Sequence, residues 1–322
     1  LARQVDVADL VDRARRREPR AVARLISLVE DASPQLREAA AALAPHGGRA
    51  QVIGLTGSPG VGKSTTTSAL VAAYRALGKR VGVLAIDPSS PFSGGALLGD
   101  RIRMQEHATD PDVFIRSMAT RGHLGGMAWA TPQALRVLDA AGFDVVLIET
   151  VGVGQSEVEV VALADTTIVL LAPGMGDGIQ AAKAGILEIA DVFVVNKADR
   201  DGADTTVREL KYMISLGRRE IRGASWRQPI VKTVAARLEG IADVVEAIDT
   251  HRTWMAEHGE LEERRAVRAR TEIEAIAVES LRAKLADVHG DALEGLAKRV
   301  MAGEVDPYTA ADSLIESIQA ST

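Results

Sequence analysis

The residues Gly57-Ser58-Pro59-Gly60-Val61-Gly62-Lys63-Ser64 spell the pattern G-x-x-x-x-G-K-S. They stand between an apolar run, QVIGLT (51–56), and a helix-forming stretch, TTTSALVAAYRAL. That is the strand, loop and helix context the pattern requires. Glycines are needed because successive backbone N–H groups turn inward around phosphate oxygens, where a Cβ would intrude, and the helix that follows adds its N-terminal dipole. Gly57, Ser58, Gly60, Val61, Gly62, Lys63, Ser64 and Thr65 are therefore the candidate phosphate-binding residues. Lys63 is expected to reach the β- and γ-phosphates as a catalytic charge, and Ser64 Oγ to ligate Mg²⁺.

The same alternation of short apolar runs and helix-length segments continues along the chain. RVGVLAI (80–86), DVVLIET (144–150), TTIVLLA (166–172), DVFVVN (191–196) and PIVKTVA (229–235) join QVIGLT as six expected strands. The reading is an α/β fold, a P-loop NTPase with a mostly parallel sheet and helices on both faces. Before it, Val7, Leu10, Val11, Val22, Leu25, Ile26 and Val29 recur at helical spacing and end at the breaker Pro45-His46-Gly47-Gly48. After Ala247 no strand signal recurs, and Asp306-Pro307 offers an N-cap and N1 proline for a last helix through about Ile318. The expected division is 1–48, an N-terminal helical extension; 49–249, the nucleotide domain; and 250–322, a C-terminal helical arm for dimerisation.

Composition excludes several classes. Lys and Arg total 38 against 44 Asp and Glu, so a net charge of −6 argues against wrapping a nucleic acid or an anionic membrane. No cysteine is present, which removes disulfides, thiolate metal sites and cysteine nucleophiles and fits a cytoplasmic setting. No run approaches a membrane span, and the charged first twenty residues lack the apolar stretch of a secretory leader. The six histidines show no ligand spacing, and His123 in the glycine-rich stretch 119–126 reads as a loop histidine.

Asn196-Lys197-Ala198-Asp199 follows the run DVFVV, at the strand end where open α/β sheets bind ligands. In this N-K-x-D pattern Asp199 can accept hydrogen bonds from guanine N1–H and N2–H₂, a donor pair adenine lacks, which favours GTP and GDP over ATP. Near Val234-Ala235-Ala236 a backbone N–H could reach guanine O6, a weaker signal. Glu149-Thr150-Val151-Gly152 closes another strand with an acidic residue for Mg²⁺ support and a glycine N–H for the γ-phosphate. Val153 follows, where many small GTPases carry a water-orienting glutamine, so slow intrinsic hydrolysis is expected. Asp87 and Asp100, read alone, are either Mg²⁺ ligands or solvated turn residues.

With the phosphate loop, ETVGVGQSE (149–157), GDGIQAAKAGILEIAD (176–191) and NKAD in this order, the chain resembles the MeaB/ArgK/MMAA family of P-loop GTPases over nearly its whole length. The resemblance implies a homodimer and a partner, an adenosylcobalamin-dependent acyl-CoA mutase, chiefly methylmalonyl-CoA mutase. GTP binding and hydrolysis would gate cofactor loading and protect or rescue that mutase. It places Asp87, Asp100 and Glu149 with Ser64 in the metal shell, Asp199 at the guanine, and Gln180 and Lys183 in a partner-responsive loop. A P-loop kinase or transport-linked ATPase is the alternative, which nucleotide preference separates.

Overall fold

The computed structural model describes residues 6–31, 33–88, 104–107, 109–120, 130–150, 162–174, 189–217, 225–288 and 290–320. Asp100, Gly152, Gln180, Lys183 and His123 lie outside the described residues, as does the side chain of Asp87.

Seven strands, β1 (Gln51–Gly57), β2 (Val81–Pro88), β3 (Val113–Thr120), β4 (Val145–Thr150), β5 (Thr166–Leu171), β6 (Val192–Val195) and β7 (Ile230–Lys232), form one sheet in the order β3-β2-β4-β1-β5-β6-β7. Every pairing is parallel. The six apolar runs are all strands of this sheet. The seventh, β3, escaped the reading because VFIRSMAT is a partly buried edge strand with Arg116 in its middle, whose guanidinium reaches Glu30.

Covered on both faces, β1, β4, β5 and β6 are buried at every position, which explains their unbroken Val, Ile and Leu content. Side chains still alternate between the two faces of the sheet, where they fall into three clusters among the described residues. Val52, Leu84, Met118, Val146 and Ile148 face helices α1 (Val7–Arg15), α2 (Pro19–Glu30), α3 (Leu36–Leu43) and α5 (Ala130–Ala140). Ile53, Leu55, Val83, Leu147, Ile168 and Val194 face α4 (Lys63–Ala76) and α7 (Ile241–His258). Val169, Leu171, Phe193 and Val195 pack on Leu210 of α6 (Ala203–Gly217). The N-terminal helices thus complete one face of the sheet core: the apolar stripe of α2 supplies Ala21, Val22, Leu25, Ile26 and Val29.

At the strand ends opposite the phosphate loop, buried carboxylates replace apolar packing. Asp165, just before β5, accepts from Val52 N–H and pairs with Arg265 at 2.8 Å. Asp191, just before β6, accepts from Thr167 N–H and takes both terminal nitrogens of Arg264 at 2.8 Å. Those arginines lie near the start of α8 (Glu260–Val288), within which the chain divides into compact units Leu1–Arg265 and Ala266–Thr322. The second unit holds the rest of α8, α9 (Gly290–Met301) and α10 (Pro307–Ala320). Asp306 caps α10 by accepting from Tyr308 N–H at 2.9 Å and Thr309 N–H at 3.1 Å. Among the described residues no helix is long and apolar enough to cross a membrane.

Candidate nucleotide site

The glycine-rich loop leaves the C-terminal end of β1, a central strand of the sheet, and Gly62 caps α4 in the left-handed region at φ +99°. Two glycines are required by space as well as by backbone angle. A Cβ on Gly57 would stand 2.3 Å from Leu170 O, and one on Gly62 would stand 2.4 Å from Asn196 Nδ2. Lys63 is buried, and its ammonium folds over the loop to donate to Gly57 O at 2.6 Å and Ser58 O at 3.2 Å. Thr65, by contrast, is exposed.

The residues after β6 brace this loop. The buried Asn196 carboxamide donates from Nδ2 to Val61 O at 2.9 Å, while its Oδ1 accepts from Thr233 Oγ1 at 3.2 Å and Ala235 N–H at 3.1 Å. Lys197, at φ +57°, donates from Nζ to Gly60 O at 2.6 Å. One side chain therefore ties three segments together: the phosphate loop, the N-K-x-D turn and the turn after β7.

Asp199 stands at the rim, half-exposed, with Arg237 Nη1 3.6 Å from its Oδ2. Arg237 is itself held by Glu239 at 2.8 Å, a hydrogen bond and charge that keep the guanidinium firmly protonated. The turn Val234-Ala235-Ala236 lies beside Asn196, but two of its amides are already used. Val234 N–H donates to Glu239 O at 3.0 Å and Ala235 N–H to Asn196, which leaves Ala236 as the donor of the three for a ligand oxygen.

On the other side of Lys63, Glu149 near the end of β4 is buried beside the first turns of α4. Its Oε1 accepts from Ser64 Oγ at 2.7 Å and its Oε2 from Thr67 Oγ1 at 2.8 Å. The structure brings Ser64 and Glu149 together. It adds Thr67, which the sequence reading missed; the available signal was its spacing three residues after Ser64, on the same helix face. Asp87 lies in β2, where Ala85 pairs with Glu149 and Ile86 with Thr150, so its backbone stands at the same end of the sheet. A serine hydroxyl beside a carboxylate is an oxygen donor set suited to a hard divalent cation, and the two glycines that cannot carry Cβ atoms shape a cradle suited to phosphates.

The sequence model described as methylmalonyl Co-A mutase-associated GTPase MeaB matches residues 22–289. The chain belongs to the MeaB family. Among relatives of this MeaB-family chain, a Pyrococcus abyssi protein bearing a GTPase name is 48% identical over 97% of each chain. The GTPase ArgK of Escherichia coli is 35% identical over 81% of this chain and 80% of its own. A Caenorhabditis elegans protein, named a mitochondrial methylmalonic aciduria type A homolog, is 40% identical over 66% of this chain and 54% of its own. A crystal structure described as a LAO/AO transport system kinase matches with TM-score 0.69 and 27% identity over 99% of both chains. The family is thus one of P-loop GTPases, with guanine nucleotide as its ligand.

Proposed function

We propose that the chain is a GTP-hydrolysing chaperone that gates adenosylcobalamin loading of a cobalamin-dependent mutase, most directly methylmalonyl-CoA mutase, and protects or reactivates it. The observation that carries the nucleotide half of this reading is the Asn196 brace, which ties the N-K-x-D turn and the turn holding the Ala236 amide to the phosphate loop. The family's association with methylmalonyl Co-A mutase supports the choice of client.

In this reading Asp199 accepts from guanine N1–H and N2–H₂ and the Ala236 N–H meets O6. The inward amides of Gly57 to Ser64 bind the β- and γ-phosphates, and the Lys63 ammonium, folded over the loop, meets their oxygens. Ser64, Glu149, Asp87 and Asp100 would hold Mg²⁺, which when bound neutralises charge on the phosphate oxygens. The Gly152 N–H would meet the γ-phosphate. With Val153 in place of a glutamine, this chain's own residues leave water orientation incomplete, so hydrolysis is slow until the client supplies or orders the missing group. The protein acts in the cytoplasm as a homodimer. Exposed Val267, Ile273, Val278, Leu281 and Leu293 in the C-terminal unit support that unit as the dimer surface.

The kinase description of one solved relative keeps a P-loop kinase or transport-linked ATPase as the second reading. Competition binding with GTP, ATP and XTP separates the two: Asp199→Asn should lose GTP and gain XTP, while equal binding of ATP and GTP by the native protein would sink the guanine assignment.

A further inference from the structure

We propose that Thr67 is a positioning residue for the divalent metal, holding the Glu149 carboxylate in the orientation that presents its other oxygen to Ser64. The inference deepens the proposed function and rests on its assignment of Ser64 and Glu149 to Mg²⁺.

Thr67 lies on α4 three residues after Ser64, so both side chains project from the same face toward the end of β4. It is completely buried. Its hydroxyl has one proton and two acceptors in reach, Glu149 Oε2 at 2.8 Å and Lys63 O at 3.1 Å. The shorter contact goes to the charged group, and a bond to an ionised acceptor is the stronger of the two. Neighbouring Thr66 shows what a plain helix threonine does here: its hydroxyl turns back to Gly62 O at 3.0 Å.

The hydrogen bonds from Ser64 and Thr67 fall on different oxygens of the Glu149 carboxylate. Oε1 meets Ser64 at 2.7 Å, and Oε2 meets Thr67 at 2.8 Å. A glutamate has one more rotatable bond than an aspartate, so its carboxyl needs a second anchor to stay in one plane. Thr67 supplies that anchor from a helix that cannot move without moving Lys63 and Ser64. Without the hydroxyl the carboxylate loses a charge-assisted bond, and the oxygen facing Ser64 is held less firmly.

The test uses the full chain loaded with a fluorescent GDP, whose release is followed while free Mg²⁺ is varied. Thr67→Val removes the hydroxyl at nearly constant volume, and Thr67→Ala against Thr67→Ser removes it from a pair already lacking the methyl. The free Mg²⁺ needed to slow release by half should rise about tenfold in Thr67→Val and Thr67→Ala, and stay near the native value in Thr67→Ser. If Thr67→Val does not fold, the Ala and Ser pair decides alone. Native Mg²⁺ dependence in the hydroxyl-free variants, with a raised requirement in Glu149→Gln, would overturn the role of Thr67 and leave the metal assignment standing. An unchanged requirement in Glu149→Gln as well would remove the metal assignment and the role of Thr67 with it.

Discussion

Replacing Asn196 by alanine probes the brace on which the site is built. The carboxamide makes three hydrogen bonds, to Val61 O, Thr233 Oγ1 and Ala235 N–H, and the residue is 3% exposed. Each neutral bond contributes about 1 kcal/mol net, and buried partners left unsatisfied forfeit their hydration as well. The loss should be about 3 kcal/mol, roughly two orders of magnitude in the folded-to-unfolded ratio. The loss falls on the fold itself, because all three bonds are made within the protein. GTP must then order the phosphate loop itself, so its affinity falls too. Urea unfolding of the nucleotide-free protein, with equilibrium GTP binding measured in parallel, reads both quantities. A stability change under about 0.5 kcal/mol together with native GTP affinity would refute the reasoning, since a carboxamide shared by three segments cannot be removed silently.

Three other perturbations probe different parts of the structure. Gly62→Ala should abolish nucleotide binding in a fluorescent-GDP assay, because its Cβ would meet Asn196 Nδ2 at 2.4 Å in a backbone at φ +99°; near-native affinity would show that the loop relaxes freely. Arg265→Met should lower stability by about 2 kcal/mol in urea unfolding by removing the charge-assisted hydrogen bonds that its guanidinium donates to the buried Asp165 carboxylate. Asp191 concerns acid stability: burial alone would push its carboxyl up, but His251 and the paired Arg264 hold it below the usual carboxylate range. A depressed folded value means stability present above about pH 4 and lost as pH falls through the folded pKa, so Asp191→Asn should cost stability at neutral pH and flatten the acid limb of a stability profile. An acid limb identical to the native one would contradict that assignment.

What the sequence disclosed follows from how local each feature is. The phosphate loop and the N-K-x-D turn are contiguous, and Gly57 and Gly62 are needed for reasons of backbone and space that leave little choice of residue. The buried strands showed as apolar runs because helices cover both faces. β3 did not, since an edge strand with Arg116 at its centre carries no such run. Thr67 was invisible because a threonine within a helix signals nothing until the carboxylate it meets, 82 residues away, is in place. The same holds for Asp165 and Asp191, buried anchors whose partners Arg265 and Arg264 stand 100 and 73 residues away in the chain. Proximity of the turn after β7 to the base site was expected, but which amide stays available depends on Asn196 Oδ1 having taken Ala235.

Turnover of GTP and of ATP by the purified protein, with and without methylmalonyl-CoA mutase from the same source, tests the central claim most directly. The expected result is hydrolysis selective for GTP, slow alone and accelerated by the mutase. Equal use of ATP, or GTP hydrolysis that the mutase leaves unchanged, would contradict it.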